Sequence, residues 1–469
     1  MLRQRVLQGL PSLFGQQHDL AALGSRFSYA DYARRVSLHS YEDLWESYLQ
    51  PHLHRLDHVL TGGEVTHLAS TSGSSSGKEK YVPVNGAFVQ HMQRAATVQG
   101  LFNYLRLQDP RLLFKPALWL TDLSDWLAVG AYPSAMISRI VRSQAGAFPR
   151  LFPPLDFFES TPAARRFQQL VIQSCEQDLM SVAGITPWLL RFFQQALSHK
   201  NVPSVHDIWP RLQLVVHAGV DFTPYRERFD ALMKKPVHYV ENYVATEGFL
   251  GVQDLDHALL RPLPAHGVFY EFVPVELTGT QNGERRVPLW QVEPGIPYRI
   301  YVTNPAGLWS TEVGDVVVFE RTLPYPLFRV CGRVKEKCDF FGEKLLLTEL
   351  EQMLRQVLKE RGYGLRHLAV GPDFAQRRLQ VVVEADAPPE EIPFLSHVLD
   401  EALQGINVQY RRNRSQEVQN QAHLEYVSPG AFQRWLSHDG SLRLQRKLPR
   451  LFSTPQDLHN FIKELKKQN

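Results

Sequence analysis

A run of small, hydroxyl-bearing residues near the amino end, followed by lysines, has the composition of a phosphate-binding loop. The run is Ser70-Thr71-Ser72-Gly73-Ser74-Ser75-Ser76-Gly77, and Lys78 and Lys80 come directly after it. Glycines allow tight turns in which backbone N–H groups point inward, hydroxyls add further donors, and ammonium groups neutralise oxyanions. The run therefore predicts a site for a nucleoside triphosphate.

This loop has two other interpretations. A Ser/Gly-rich run is also typical of a flexible linker, but the flanks Val65–Ala69 and Lys80–Val84 are β-prone, which favours a hairpin loop within one domain. A Walker-type P-loop needs four residues between its glycines, a Ser or Thr after the lysine, and a following helix. Here three residues separate Gly73 from Gly77, Glu79 follows Lys78, and a strand comes next, so the Walker interpretation fails.

Two further segments carry oxygen groups suited to a nucleotide. Tyr243, Thr246 and Glu247 come at the end of a predicted strand, and ligands bind at the carboxyl ends of strands in open α/β sheets. A tyrosine offers a flat face to a base, and hard oxygens suit phosphate and Mg²⁺. Asp315 follows Gly314, where a carboxylate is suited to accept both ribose hydroxyls. Taken singly, these patterns are also typical of ordinary strand ends and Gly-Asp turns.

A basic cluster lies near the carboxyl end, in Gln445-Arg446-Lys447-Leu448-Pro449-Arg450. Pro449 fixes the backbone after the cluster, and Lys447 is long enough to bring a point charge to a reacting carboxylate. An exposed basic face is the alternative interpretation.

The intervening pattern predicts an α/β protein of two domains, residues 1–332 and 333–469, joined near Cys331-Gly332-Arg333. The first has a helical start to about Leu60, then alternating helices and strands, with a helix over Arg165–Ser181; after about Gly248 short strands predict a small twisted sheet or partial barrel. The second has the order strand, helix, strand, strand, helix, strand of a ferredoxin-like α+β domain. Thr348 and Glu351 match a capping box at its first helix.

Composition excludes several classes of protein. The chain has 469 residues, 44% hydrophobic, which is enough for a large core. Its net charge of +3 and the absence of a basic stripe argue against nucleic acid as a partner. Three cysteines without a CxxC pair predict neither a disulfide framework nor a zinc site. No signal sequence or membrane-length apolar run is present, which predicts a soluble cytoplasmic protein without a membrane partner.

In this order, the motifs resemble those of the acyl-adenylate-forming enzymes, most closely the plant auxin-responsive Gretchen Hagen family of acyl-acid amido synthetases and its bacterial relatives. Family-like phrases also occur at Ser40-Tyr41-Glu42-Asp43, Phe269-Tyr270-Glu271-Phe272 and Ser428-Pro429-Gly430-Ala431-Phe432. The residues that match the family's three main motifs are Ser72, Gly73, Ser74, Gly77, Lys80 and Pro83; Tyr243, Thr246 and Glu247; and Gln445, Lys447, Pro449 and Arg450.

One motif departs from the family pattern. Trp309-Ser310-Thr311-Glu312-Val313-Gly314-Asp315 keeps the ribose-binding aspartate but lacks both arginines, with Ser310 and Thr311 among the replacements. Arg299, Arg329 and Arg333 are candidates to supply the missing charge, and Arg333 is assigned to the nucleotide.

The resemblance implies a large adenylate-forming domain, a small mobile C-terminal domain, and the cofactors ATP and Mg²⁺. A carboxylic acid is adenylated and its acyl group passes to an amine, here predicted to be an amino acid, releasing AMP and pyrophosphate. The implied roles are phosphate binding by Ser72 to Ser76, Gly77 and Lys80, adenine binding by Tyr243, nucleotide contact by Thr246, Mg²⁺ binding by Glu247, ribose binding by Asp315, and catalysis by Lys447 with Glu247. The alternatives are transfer to coenzyme A or a carrier-protein thiol, and a non-catalytic nucleotide-binding relative.

Overall fold

The computed structural model describes residues 1–70, 80–144, 151–219, 222–263, 266–275, 285–333, 337–338, 340–341, 343, 345–415, 417–438 and 448–467. By the density of contacts, these residues divide into two compact units, with the boundary between Val330 and Cys331. Of the described helices, none is long and apolar enough to cross a bilayer.

The first unit mixes helices and strands along its whole length. Its described helices are α1 (Leu2–Gly9), α2 (Leu13–Gln17), α3 (Tyr29–Arg35), α4 (Tyr41–Leu44), α5 (Gly86–Leu107), α6 (Ile137–Ser143), α7 (Phe157–Ser160), α8 (Ala163–Ser174), α9 (Thr186–Lys200), α10 (Val205–Ile208) and α11 (Arg226–Asp230). Its described strands are β1 (Val65–Ser70), β2 (Tyr81–Asn85), β3 (Ala117–Trp119), β4 (Leu127–Val129), β5 (Tyr132–Met136), β6 (Leu151–Phe152), β7 (Ser181–Ile185), β8 (Leu214–Ala218), β9 (His238–Ala245), β10 (Gly248–Gln253), β11 (Leu260–Pro262), β12 (Phe269–Pro274), β13 (Val287–Pro288), β14 (Pro297–Thr303), β15 (Thr311–Arg321) and β16 (Leu327–Arg333).

Two sheets organise these strands. Within the described residues the smaller has the order β2-β1-β5-β4, and the larger has the order β13-β12-β14-β15-β16-β11-β10-β9-β8-β7-β3-β6. Strands β6, β3, β7, β8 and β9 run parallel, as the predicted alternation of helix and strand requires. The predicted helix over Arg165–Ser181 is too long, because α8 ends at Ser174 and Ser181 already opens β7.

The strands after Gly248 do not form a separate sheet; they extend the parallel strands through the β9–β10 hairpin. This part of the sheet curls. Three strands lie between β9 and β15 in the sheet order, which in a flat sheet would separate them by about 19 Å. Yet the Tyr243 hydroxyl on β9 lies 2.7 Å from the Asp315 carboxylate on β15. The predicted partial barrel is therefore a curled end of the larger sheet, filled by a cluster that includes Tyr270, Phe272 and Phe328.

The amino-terminal helices share one apolar core with the smaller sheet. Tyr32, Tyr41 and Leu44 are buried there. Helix α5 begins where the Asn85 side chain accepts a hydrogen bond from the Phe88 N–H at 2.9 Å, so the cap directly follows β2.

The second unit is an α+β structure. Its described elements are β17 (Lys337–Cys338), β18 (Leu345–Leu346), α12 (Leu347–Lys359), β19 (Leu365–Asp373), β20 (Arg378–Ala385), α13 (Ile392–Ile406), α14 (Val408–Ser415), β21 (His423–Val427), α15 (Ala431–His438) and α16 (Pro455–Lys467). Strands β19 and β20 are antiparallel, and β20 and β21 are parallel. The order from β18 to β21 is the predicted one, although β18 pairs with β17 in a separate short hairpin rather than with the three-stranded sheet.

Helices cover both faces of this sheet. Alternate strand residues point to opposite faces: Val370 and Val381 belong to the cluster with α12 and α13, whereas Ala369 and Val382 belong to the cluster with α15 and α16. The predicted capping box of Thr348 and Glu351 is wrong, because it lies two residues too late in the sequence. Helix α12 begins earlier, at Leu347, and the Glu349 carboxylate accepts from the Leu346 N–H at 3.0 Å.

Candidate active site

The predicted phosphate loop joins two paired strands. In the β1–β2 hairpin the last antiparallel pair before the loop is Ser70 with Tyr81, so the flanks are neighbours in one sheet and not separate domains. The residues predicted to bind phosphate, Ser72 to Ser76 and Gly77, lie outside the described residues. The parallel pairing of Ser70 with Met136 on β5 shows that the loop leaves the carboxyl end of β1 beside that of β5.

Lys80 is held at the end of this loop by residues of α4. Its Nζ lies 3.1 Å from Glu42 Oε1 and 4.6 Å from the centroid of the Tyr41 ring, and its side chain is 19% exposed. The Ser40 capping box positions α4, since the Ser40 hydroxyl accepts from the Asp43 N–H at 3.1 Å. The phrase Ser40-Tyr41-Glu42-Asp43 therefore serves to place Lys80.

Tyr41 connects this corner to Glu247. Its hydroxyl accepts from the Tyr81 N–H at 2.7 Å. Burial raises the pKa of Tyr41 well above its usual value, and the negative charges of Glu42 and Glu247 raise it further. The charge of Glu247, the predicted metal ligand, therefore acts on Tyr41, the same residue whose ring lies beneath the predicted phosphate-binding Lys80.

Thr246 and Glu247 form the two-residue turn between β9 and β10, where Ala245 pairs with Gly248. The turn is fixed by Asn304, whose Nδ2 donates to the Glu247 backbone oxygen at 2.7 Å. Gly248 has a φ of +155°, and a Cβ there would lie 3.2 Å from His91 Nε2, so a larger residue would displace the turn. Glu247 is 9% exposed, and Thr246 adds a hydroxyl beside it, which gives hard oxygens of the kind Mg²⁺ takes.

Tyr243 and Asp315 come from motifs 72 residues apart and meet in a hydrogen bond. The Tyr243 hydroxyl donates to Asp315 Oδ2 at 2.7 Å. The tyrosine ring is 8% exposed and packs edge-on against Phe328, with the ring centroids 6.0 Å apart. Asp315 follows Gly314, whose φ of +91° turns the strand at this point. The structure thus brings the predicted adenine and ribose residues together.

The two replacements at the departing motif face the interior. Ser310 is fully buried, and its hydroxyl donates to Glu271 Oε2 at 2.5 Å, while the Tyr32 hydroxyl lies 3.0 Å from it. The Thr311 hydroxyl donates to the Trp309 backbone oxygen at 3.2 Å. Burial raises the pKa of Glu271. The positive charge of Arg286, 3.3 Å away, acts in the opposite direction and lowers this pKa. The phrase containing Glu271 therefore belongs to a buried polar network that holds the start of β15.

The three arginines considered as substitutes differ in position. Arg299 on β14 forms an ion pair with Glu312 at 3.3 Å, and Arg329 on β16 forms one with Glu320 at 2.7 Å. Only the backbone of Arg333 is described, at the end of β16. Arg299 is 9% exposed. Its partner Glu312 belongs to the departing motif, so the Arg299 guanidinium is already paired within that motif.

Lys447, the predicted catalytic cation, lies outside the described residues, and so does Gln445. The chain after it is anchored to the second unit. The Val370 N–H donates to the Arg450 oxygen, and the Phe452 N–H donates to the Val370 oxygen, each at 2.8 Å. The Arg450 guanidinium also forms an ion pair with Glu351. This segment therefore lies along the β19 edge of the three-stranded sheet.

The sequence gives little sign of two further polar residues in the first unit, His217 and Arg139. His217, at the carboxyl end of β8, is 5% exposed and stacks on Phe222 with ring centroids 4.1 Å apart. Burial, with a smaller effect of Arg226, lowers its pKa to about 4, and its buried Nδ1 has no hydrogen-bond partner within the described structure. Arg139, in the first turn of α6, is the other. A polar residue at the end of a predicted inner strand was the only available signal for His217.

Within the described residues, another group of metal-type ligands consists of Asp254, Asp256 and His257. The Asp254 carboxylate already forms ion pairs with Arg261 and, at 2.8 Å, with the His257 ring. Its charge is offset by these partners, so Glu247 remains the predicted metal ligand.

Solved structures share this fold. The AtGH3.15 acyl acid amido synthetase in complex with 2,4-DB superposes with a TM-score of 0.79 at 17% identity, over 99% of this chain and 93% of that chain. The 2-hydroxyisobutyryl-CoA ligase in the postadenylation state with 2-HIB-AMP superposes with a TM-score of 0.64 at 14% identity, over 99% and 90%. The fold is therefore that of adenylate-forming acyl-acid ligases.

The sequence also matches the three domain descriptions of one family. These are the GH3 family N-terminal domain over residues 1–128, the GH3 family central domain over 262–333, and the GH3 family C-terminal domain over 348–456. The chain belongs to the GH3 family, the Gretchen Hagen family that its motifs resemble.

Proposed function

We propose that this protein is an ATP-dependent acyl-acid amido synthetase. In the first half-reaction the carboxylate of an acid attacks the α-phosphorus of ATP, forming an acyl-adenylate and expelling pyrophosphate. In the second, the amine of an amino acid attacks the acyl carbon and AMP leaves. The observation that carries the proposal is the 2.7 Å hydrogen bond between Tyr243 and Asp315, because it brings together the side chains predicted to bind the adenine and the ribose of one nucleotide.

Each predicted residue has a chemical task in the first half-reaction. The Asp315 carboxylate accepts hydrogen bonds from the ribose; a carboxylate has about four lone-pair sites, so the Tyr243 hydroxyl does not exhaust it. Lys80 neutralises phosphate oxygens together with the loop of Ser72 to Ser76 and Gly77. Glu247 would hold Mg²⁺, which offsets the charge of the triphosphate when bound. Lys447 stabilises the charge that develops between the carboxylate and the α-phosphate.

The second half-reaction is proposed to follow a rotation of the C-terminal domain, residues 333–469, about the joint near Arg333. Lys447 would leave the site after adenylation, so its removal would impair the first half-reaction and leave the second nearly unchanged. The rival acceptor is a thiol of coenzyme A or a carrier protein, favoured by the likeness of the fold to 2-hydroxyisobutyryl-CoA ligase.

Pyrophosphate exchange driven by a panel of carboxylic acids tests adenylation. Lys447→Ala should lower the exchange rate by about 100- to 1,000-fold, the usual effect of removing one electrostatic contact to a transition state. Lys463→Ala is the matched control, because Lys463 is an exposed lysine on α16 of the same unit. If none of the acids in the panel supports pyrophosphate exchange by the wild-type protein, adenylation is refuted.

Mass analysis of the products identifies the acceptor. The active acid is incubated with ATP and pooled amino acids, and in parallel with coenzyme A. An amide product supports the proposal, whereas a thioester formed without an amide contradicts it. Binding of ATP without release of AMP or pyrophosphate would identify a non-catalytic relative.

A further inference from the structure

Arg139 is a buried cation without a hydrogen-bond or ion-pair partner among the described residues. It is 7% exposed, and no hydrogen bond or ion pair of its guanidinium is found within the described part of the chain, where its Nε is a buried donor without an acceptor. Burying an unpaired charge is costly, so such groups are rare unless a ligand completes them.

Aromatic rings form the walls around this guanidinium. Its Cζ lies 3.2 Å from the centroid of the Phe158 ring and 5.7 Å from that of Trp126. These rings shield part of the guanidinium from water and cannot accept strong hydrogen bonds from its N–H groups. In such a desolvated setting an anion is bound more strongly than in water.

The charges near Arg139 do not cancel. Asp122 and Asp125 act on it favourably, whereas Arg166 and Arg142 act against it. Arg166 already pairs with Asp125 at 2.8 Å, and Arg142 donates to the Pro153 oxygen at 2.8 Å. Three arginines and two aspartates leave one positive charge in the cluster. Burial lowers the pKa of Arg139 only to about 10, so it stays charged at neutral pH.

Arg139 also lies at the edge of the sheets where the candidate site is built. It follows Met136 by three residues, and Met136 pairs in parallel with Ser70, the last strand residue before the predicted phosphate loop. The segment that follows β3 also contacts this region, because the Asp122 N–H donates to the hydroxyl of Ser138, the residue before Arg139, at 3.4 Å. Carboxyl ends of three strands, β1, β3 and β5, therefore converge beside this cation.

We propose that Arg139 binds a carboxylate that one of the two substrates carries in addition to its reacting group. The planar fork of a guanidinium matches the two oxygens of a carboxylate, which makes it a specificity-determining contact. The carboxylate belongs either to a dicarboxylic acid, as the group that is not activated, or to the amino acid acceptor. This inference rests on the proposed function, because it names the class of substrate for the same site.

Kinetics with matched substrate pairs distinguish these sources. Straight-chain dicarboxylic acids from succinate upward are each compared with the monocarboxylic acid of equal length in pyrophosphate exchange. Alanine is compared with ethylamine in amide formation. Arg139→Met should raise the half-saturating concentration of the carboxylate-bearing member of one pair by about 10- to 100-fold and leave its partner unchanged. Arg139→Lys should recover part of the loss.

Arg165→Met is the control, because Arg165 is an exposed arginine on α8. If Arg139→Met and Arg165→Met have the same half-saturating concentrations for every pair, the inference is overturned. The melting temperature tests it without turnover: dicarboxylates or alanine should raise the Tm of wild type and of Arg165→Met but not of Arg139→Met. The inference is also overturned if none of these compounds raises the Tm of the wild-type protein or saturates it in the kinetic assays. Absence of exchange with every acid, together with an Arg139-dependent Tm shift, would refute the proposed function alone.

Discussion

Replacing Tyr243 with phenylalanine removes one hydroxyl from the centre of the candidate site. The ring is 8% exposed and packs against Phe328, so the phenylalanine keeps the packing and loses only the 2.7 Å hydrogen bond to Asp315. A hydrogen bond to a charged group contributes about 1.5–3 kcal/mol. Asp315 is only half-buried, which places the expected effect at the lower end, about 1.5 kcal/mol.

This energy should appear in nucleotide binding. Without the tyrosine hydroxyl, the Asp315 carboxylate loses the contact that orients it toward the ribose, so the KM for ATP should rise about tenfold. The KM for the acid should not change. The assay is pyrophosphate exchange at a series of ATP concentrations, with the acid saturating.

Tyr270→Phe is the matched control, because its hydroxyl also makes one buried bond in the curled sheet, to the Leu250 oxygen at 3.0 Å. That variant should lose about 1 kcal/mol of stability and keep its KM for ATP. Equal KM values for Tyr243→Phe and wild type would refute the reasoning, as would an equal rise in Tyr270→Phe. Asp315→Asn alone and combined with Tyr243→Phe gives the coupling energy directly.

Two further changes test the buried groups of the first unit. Ser310→Arg restores an arginine of the family motif, yet Ser310 is fully buried at a φ of +41°, so the variant should lose about 3–5 kcal/mol in urea unfolding without tighter ATP binding. The lowered pKa of His217, about 4 against 6.5, means that its stabilising effect is complete above pH 6.5 and is lost as the pH falls toward 4. His217→Phe should remove about 3 kcal/mol of acid destabilisation over that window, and an unchanged pH dependence of unfolding would contradict the assignment.

Local signals were sufficient for much of the fold. The β-prone flanks of the Ser/Gly run are paired strands, as predicted, and α5 begins at Gly86 because the Asn85 cap precedes it. A capping box is a pattern of one turn that recurs by chance. Thr348 and Glu351 therefore predicted the wrong helix start, and the hydrogen bond at the observed start joins the Leu346 N–H to the Glu349 carboxylate. The larger sheet was not predicted as one piece, since strand pairing across long separations has no local signature.

The candidate site divides in the same way. Tyr243, Glu247 and Asp315 were predicted because their residue types match family motifs, and the curl of the sheet brings Tyr243 and Asp315 together. Arg139 and His217 could not be found from sequence. Each has a buried nitrogen without a hydrogen-bond partner in the part of the chain that the structure describes. This property depends on the packing of Phe158 against Arg139 and of Phe222 against His217, which the sequence does not show.

The contacts of the departing motif favour a site that still binds nucleotide over one that has decayed. A site that decays without selection should leave unpaired charges where its arginines were, because each replacement is then made singly. Here the replacements are matched: Ser310 donates to Glu271, and Glu312 forms an ion pair with Arg299 on the adjacent strand. The Asp315 carboxylate and its hydrogen-bond partner Tyr243 are both present. The replacements are thus paired around the predicted ribose-binding aspartate, which is the arrangement expected if nucleotide binding is still in use.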